Sequence, residues 1–216
     1  MGIDFNIVSD ISKIIKKCFD MGVQIGLVIG GGNFWRGRSN LNIDRVRADH
    51  IGMASTVINS LVILDFLEKL NLKAKVLSAI EMKQISEFYT RDKAVWYLEN
   101  NSIVIFSFGT GIPFFSTDTA AALRASEIQA DIFLKATNID GVYDKDPGEL
   151  DAKKYSEISF DELISKNLKV IDIPAASICR DNNIPILIFD IKNLDNICQA
   201  VNGSTQVGTI LKLRTK

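Results

Sequence analysis

The sequence predicts an α/β chain, a mostly parallel open sheet sandwiched between helices, and three observations lead there. Helical and strand-like hydrophobic patterns alternate from one end to the other. Three strand-like runs empty directly into glycine-containing turns, where parallel sheets place their ligand loops. The composition, 47% hydrophobic with 24% charged residues, is that of a chain that buries a core. At 216 residues one domain over positions 1–216 is expected.

Taken in order, Ile7, Val8, Ile11, Ile14, Ile15, Cys18 and Phe19 recur at helical spacing before Gly22, which predicts an amphipathic helix over residues 6–20. A strand at 24–29 ends in glycines. Residues 44–70 read as one long helix, apolar nearly all round and so buried on more than one side, by sheet and by a second subunit. Strands are expected at 73–77 and 102–108, with a helix at 91–99 between them. An Ala-rich helix at 117–129 precedes a strand at 131–135. Helices at 160–165 and 175–182, a strand at 186–189, a helix at 194–201 and a strand at 209–213 complete the alternation. It opens with a helix, although a doubly wound sheet more often opens with a strand.

Charge and composition exclude several functions. With 25 Lys and Arg against 26 Asp and Glu, no basic field exists to neutralise the phosphates of a nucleic acid. Small phosphorylated ligands need only local donors. Cys18, Cys179 and Cys198 lack the paired spacing of zinc or redox sites and are read as free thiols. No apolar run approaches the roughly 20 residues that span a bilayer, and no basic-then-apolar leader is visible. A cytoplasmic protein without a membrane partner is expected.

The first informative turn is Val28-Ile29-Gly30-Gly31-Gly32-Asn33-Phe34-Trp35-Arg36-Gly37. Residues without a Cβ let backbone N–H groups close on an anion, and Arg36 offers a charged fork for two oxygens. The bland alternative is a tight strand-to-helix turn with a solvated Arg. The pattern matches neither the Walker loop nor the spaced glycines of a dinucleotide fold, which argues against an oxidoreductase.

The second, Phe108-Gly109-Thr110-Gly111-Ile112-Pro113-Phe114-Phe115-Ser116-Thr117-Asp118-Thr119, leaves a strand and opens a helix. Ser116 or Thr117 suits the N-cap, and the helix start favours an anion. Asp118 either complements the helix dipole or meets magnesium.

The third, from Leu134 to Pro147, offers Thr137 to phosphate or ribose, Tyr143 to a base and Asp146 to a sugar hydroxyl. Asp140-Gly141 alone is an ordinary turn signal. One cleft with two anion sites is the economical reading of the three, and phosphoryl transfer needs such a cleft and no side-chain nucleophile. The lone His50 reads as a polar helical residue.

These stretches, with Asp44 to Met53 and Ala175 to Pro185, resemble the bacterial uridylate kinases of the amino acid kinase family over almost the whole chain. The glycine triplet with its following Arg, the T-G-x-P-F-F-[ST]-T-D-T loop and the D-G-V-Y-x-x-D-P turn occur in the family's order. The resemblance implies an amino acid kinase-like fold, transfer of the ATP γ-phosphoryl group to UMP to give UDP, magnesium accompanying ATP, and a homohexamer. It implies UMP contacts at Gly31, Asp49, Thr110, Gly111, Ile112, Pro113, Phe114, Phe115, Ser116 and Thr117, with Asp49 on the ribose. ATP falls to Gly32, Arg36, Thr137, Tyr143 and Asp146, and the catalytic roles to Arg36, near the transferring phosphoryl, and Asp118, as organiser of charge or metal.

Family members usually begin with a strand and a K-[LI]-S-G turn whose Lys holds ATP phosphates. Here Met1-Gly2-Ile3-Asp4 begins just after that point, so no residue of this sequence matches that Lys. The expectation is a start internal to a longer protein, the alternative being a reduced, inactive form. The rival readings are a non-catalytic nucleotide-binding or regulatory subunit and a kinase of a carboxylate or carbamate.

Overall fold

The structure, a computed structural model, describes residues 2–35 and 43–213. It divides into two compact units, Met1–Ala120 and Ala121–Lys216.

In the first unit, α1 (Phe5–Asp20) begins where the Asp4 carboxylate accepts from the backbone N–H groups of Asn6 and Ile7, the N-cap that a helix start requires. It is followed by β1 (Gly26–Val28), α2 (Arg45–Lys69), β2 (Ala74–Ser78), β3 (Glu87–Phe88), α3 (Arg91–Glu99) and β4 (Ile103–Ser107). The strands form one parallel sheet in the order β1-β4-β2-β3, with Gly26 opposite Val104 and Val76 opposite Ile105. Every residue of β4 is buried, as expected of an interior parallel strand covered on both faces. Ile15, Ile63, Leu67, Val76, Ile103 and Ile105 make the core between α1, α2 and the sheet.

Helix α2 contains no unbroken apolar run, as expected, yet it is long and apolar enough to cross a bilayer by length and composition. Asp49 and Asp65 interrupt the run in sequence, while the helical average remains apolar. The fold uses it as a core helix, packed on α1, β2 and β4. A second apolar group, Met53 and Val57, meets Phe108 at the end of β4.

Helix α4 (Thr117–Glu127) carries the chain across the unit boundary. The second unit contains β5 (Phe133–Thr137), β6 (Val142–Tyr143), β7 (Lys154–Tyr155), β8 (Glu157–Ser159), α5 (Phe160–Ser165), α6 (Ile173–Asp181), β9 (Ile186–Asp190), α7 (Asp195–Val201) and β10 (Gly208–Lys212). Its sheet runs β5-β9-β10-β8, parallel except for the β9–β10 pair. A Cβ at Gly208 would run into the carbonyl oxygen of Ile188, so that crossing tolerates only glycine. Phe160, Leu163, Ile186, Ile188 and Leu211 fill the core. The short β6–β7 ribbon forms a two-stranded antiparallel sheet of its own.

Candidate active site

The first glycine turn is fixed by α2. A Cβ on Gly31 would lie 2.6 Å from the Gly52 carbonyl oxygen and 2.8 Å from the Ser55 Cβ, so the helix backbone occupies the space a side chain would need. Gly31 is thus required by packing, whatever it binds. The Asn59 side chain donates to the Gly30 carbonyl at 2.8 Å and exchanges amide hydrogen bonds with Asn33 at 2.7 and 3.0 Å. Phe34 and Trp35 each donate a backbone N–H to the Gly31 carbonyl at 3.0 Å. Gly32 is exposed. Arg36 lies outside the described residues.

The second turn reaches the first. A Cβ on Gly30 would lie 3.7 Å from Thr117 Oγ1, so the glycine turn and the start of α4 are neighbours. Ser116 is the capping residue of the two that were offered, its hydroxyl accepting from the Thr119 N–H at 3.1 Å. Asp118 follows in the first turn of α4. The turn itself is dense in left-handed backbone, with positive φ at Phe108, Gly109, Gly111 and Phe114. Thr56 holds its beginning: buried Thr56 accepts from the Phe108 N–H at 2.9 Å and donates to the Met53 carbonyl at 2.7 Å. Thr110 closes a local turn with both backbone groups of Ile112. Ile112, Phe114 and Phe115 all stand exposed, an arrangement that suits packing on a flat ring.

Asp49 joins this turn to α2. Its Oδ2 accepts from the Phe114 N–H at 2.8 Å and from Arg45 Nε at 2.9 Å. The Arg45 guanidinium lies over the Phe114 ring, 5.5 Å from its centre. Gly31, Asp49, residues 110–117 and Asp118 all belong to the first unit, and α2 holds Gly31 by packing and the second turn through Thr56 and Asp49. Sequence reasoning missed Arg45, Thr56 and Asn59. Each takes its meaning from partners that are distant in the chain, and no local pattern marks them.

The third turn belongs to the second unit. Thr137 ends β5, and its carbonyl accepts from the Ile191 N–H at 2.8 Å. The Tyr143 hydroxyl donates to Asp140 Oδ1 at 2.9 Å, and Lys154 Nζ donates to Asp140 Oδ2 at 3.0 Å. Burial pushes the Asp140 carboxyl upward, but hydrogen bonds from Lys154 and Tyr143 and the Lys154 charge outweigh it and hold the group below its ordinary value. The bond to Asp140, with burial and the neighbouring negative charge, raises the Tyr143 hydroxyl. Val142 donates its N–H to Thr209 Oγ1 at 2.8 Å, tying the turn to β10. Asp146 accepts from the Gly148 N–H at 2.8 Å, the side-chain turn typical of Asp. Among the described residues no group of three or more His, Cys, Asp or Glu side chains could hold a metal ion.

The model of the amino acid kinase family matches residues 2–190. The UMP kinase of Bacillus anthracis superposes with a TM-score of 0.95 at 33% identity, over 99% of this chain and 89% of that one. The UMP kinase of Ureaplasma parvum gives 0.92 at 36% identity, over 97% and 90%. The uridylate kinase of Archaeoglobus fulgidus gives 0.75 at 27%, over 97% and 94%.

Proposed function

The chain belongs to the amino acid kinase family, and from that premise we propose that it transfers the γ-phosphoryl group of ATP to UMP, yielding UDP and ADP. The observation that carries the acceptor reading is the convergence of Asp49, the turn 110–117 and the glycine triplet on α2. Its support is the 33% and 36% identity, over nearly the whole chain, to two UMP kinases.

The residues divide by substrate. Exposed Ile112, Phe114 and Phe115 pack against the uracil and its sugar, and Asp49 accepts from a ribose hydroxyl. The main-chain N–H groups at Gly31 and the start of α4 bind the UMP phosphate, as helix starts and glycine turns bind anions elsewhere. On the donor side Tyr143 packs against adenine, Asp146 accepts from the ATP ribose, and Thr137 and Gly32 bind phosphate oxygens. Arg36 neutralises charge on the phosphoryl group as it passes in line from the ADP oxygen to the UMP phosphate oxygen. No covalent enzyme intermediate is required.

Magnesium accompanies ATP. Asp118, in the first turn of α4, would organise the charge of the phosphates or meet the ion, which prefers oxygen ligands. The ion's charge offsets that of the triphosphate. The protein works as a homohexamer in the cytoplasm, in pyrimidine nucleotide synthesis leading to CTP. Exposed Val46, Ile51 and Ile58 on α2 and Phe5 and Ile7 on α1 favour an interface between copies.

An acceptor panel of UMP, CMP, acetylglutamate and aspartate tests the assignment. Phosphorylation of UMP is expected; phosphorylation of an amino acid derivative without UMP would replace it with a carboxylate kinase.

A further inference from the structure

We infer that Arg45 is a positioning residue for the acceptor nucleotide, holding Asp49 and the Phe114 segment in one arrangement; the inference rests on the assignment of these residues to UMP.

Arg45 stands where local physics disfavours it. It is the first residue of α2, at the positive end of the helix dipole, where the capping carboxylate of the adjacent Asp44 offsets that charge only in part and is itself engaged by the Arg47 N–H. Its partner Asp49 lies four residues later, the reverse of the favoured acid-before-base order. Helix stability gains little from such a pair, and a residue that breaks local rules calls for a compensating role.

The compensation lies at Phe114. This bulky residue adopts φ of 72°, a left-handed conformation that persists only where its surroundings enforce it. Two groups enforce it here. Asp49 Oδ2 accepts from the Phe114 N–H at 2.8 Å, and the Arg45 guanidinium covers the Phe114 ring at 5.5 Å. Arg45 also binds that same Oδ2 through Nε at 2.9 Å, so one side chain fixes both the carboxylate and the ring. The Asp49 side chain is 18% exposed against 46% for Arg45. The cation therefore works from the outer side, orienting Asp49 for the sugar and Phe114 for the base.

The test combines amide exchange with kinetics on the full chain. In Arg45→Ala without ligand, the Phe114 amide should exchange several-fold faster, with amides of the sheet core unchanged. In turnover, KM for UMP should rise about tenfold, the loss of one charge-assisted contact, while kcat and KM for ATP stay within about twofold. Arg45→Lys keeps the charge without the planar face and should fall between wild type and Arg45→Ala. An unchanged Phe114 exchange rate, or equal rises in KM for both substrates, would overturn the inference. Failure of the wild type to phosphorylate UMP would remove the kinase assignment instead, and the exchange measurement would still decide whether Arg45 orders the segment.

Discussion

The Phe114 N–H is bonded to Asp49 Oδ2 at 2.8 Å, joining residues 65 positions apart in the chain. The carboxylate assigned to the acceptor ribose is thus also the anchor of the segment assigned to the acceptor base. Asp49→Asn keeps an acceptor oxygen but loses the charge. Hydrogen bonds to charged groups contribute about 1.5–3 kcal/mol, so KM for UMP should rise by roughly one to two orders of magnitude with little change in KM for ATP. Initial rates with each substrate varied in turn check this.

Gly31→Ala is expected to damage the fold before it damages chemistry. The new methyl would sit 2.6 Å from the Gly52 carbonyl oxygen and 3.2 Å from the Thr56 nitrogen, both main-chain atoms of α2 that cannot rotate away. Overpacking of this kind costs about 1–3 kcal/mol. Thermal unfolding should show the loss as a lower Tm without any ligand present.

Arg36→Ala should lower kcat more than it weakens UMP binding, because the role assigned to Arg36 matters most when charge is shared in the transition state. Removal of one such oriented donor typically costs about a hundredfold or more in kcat. Binding titrations of UMP beside single-turnover rates separate the two effects, and an unchanged rate would refute the role.

Asp140 gives the second unit a small dependence on pH. Its carboxyl is held below the ordinary value of 3.8 by Lys154 and Tyr143 despite the opposing effect of burial. A depressed carboxyl contributes stability that is present above the unfolded value and lost as pH falls through the folded one. The stability gap between wild type and Asp140→Asn should therefore close below about pH 4. The pair is partly exposed, with side-chain exposures of 30% and 52%, so the gap near neutrality should stay under about 1 kcal/mol. Denaturant midpoints across pH measure it. The same variant leaves the Tyr143 hydroxyl a neutral acceptor in place of a charged one and should raise KM for ATP but not for UMP.

Long periodic segments were legible from the chain. The helix expected at 91–99 is α3 (Arg91–Glu99), and the long helix at 44–70 is α2 to within a residue at each end. The strand expected at 131–135 lies instead at Phe133–Thr137. Its register follows from pairing, Phe133 with Ile186 and Thr137 with Asp190, which the local pattern of Asp131 and Ile132 does not contain. β3, β6, β7 and β8 have only two or three residues each, too few for a period to show. In the site, the glycine and threonine turns announce themselves by composition. Arg45, Thr56 and Asn59 do not, because an Arg, Thr or Asn in a helix is ordinary until its distant partner is known. The family resemblance marks Asp49 as a ribose ligand, while its second task, holding the Phe114 N–H, belongs to the fold alone.

The central claim is transfer to UMP, and 31P NMR of the full chain with ATP, magnesium and UMP tests it most directly. The account predicts UDP and ADP appearing together in equal amounts, with the signal lost when UMP is omitted. ADP formation that ignores UMP, or an acyl phosphate from a carboxylate acceptor while UMP stays unchanged, would contradict it.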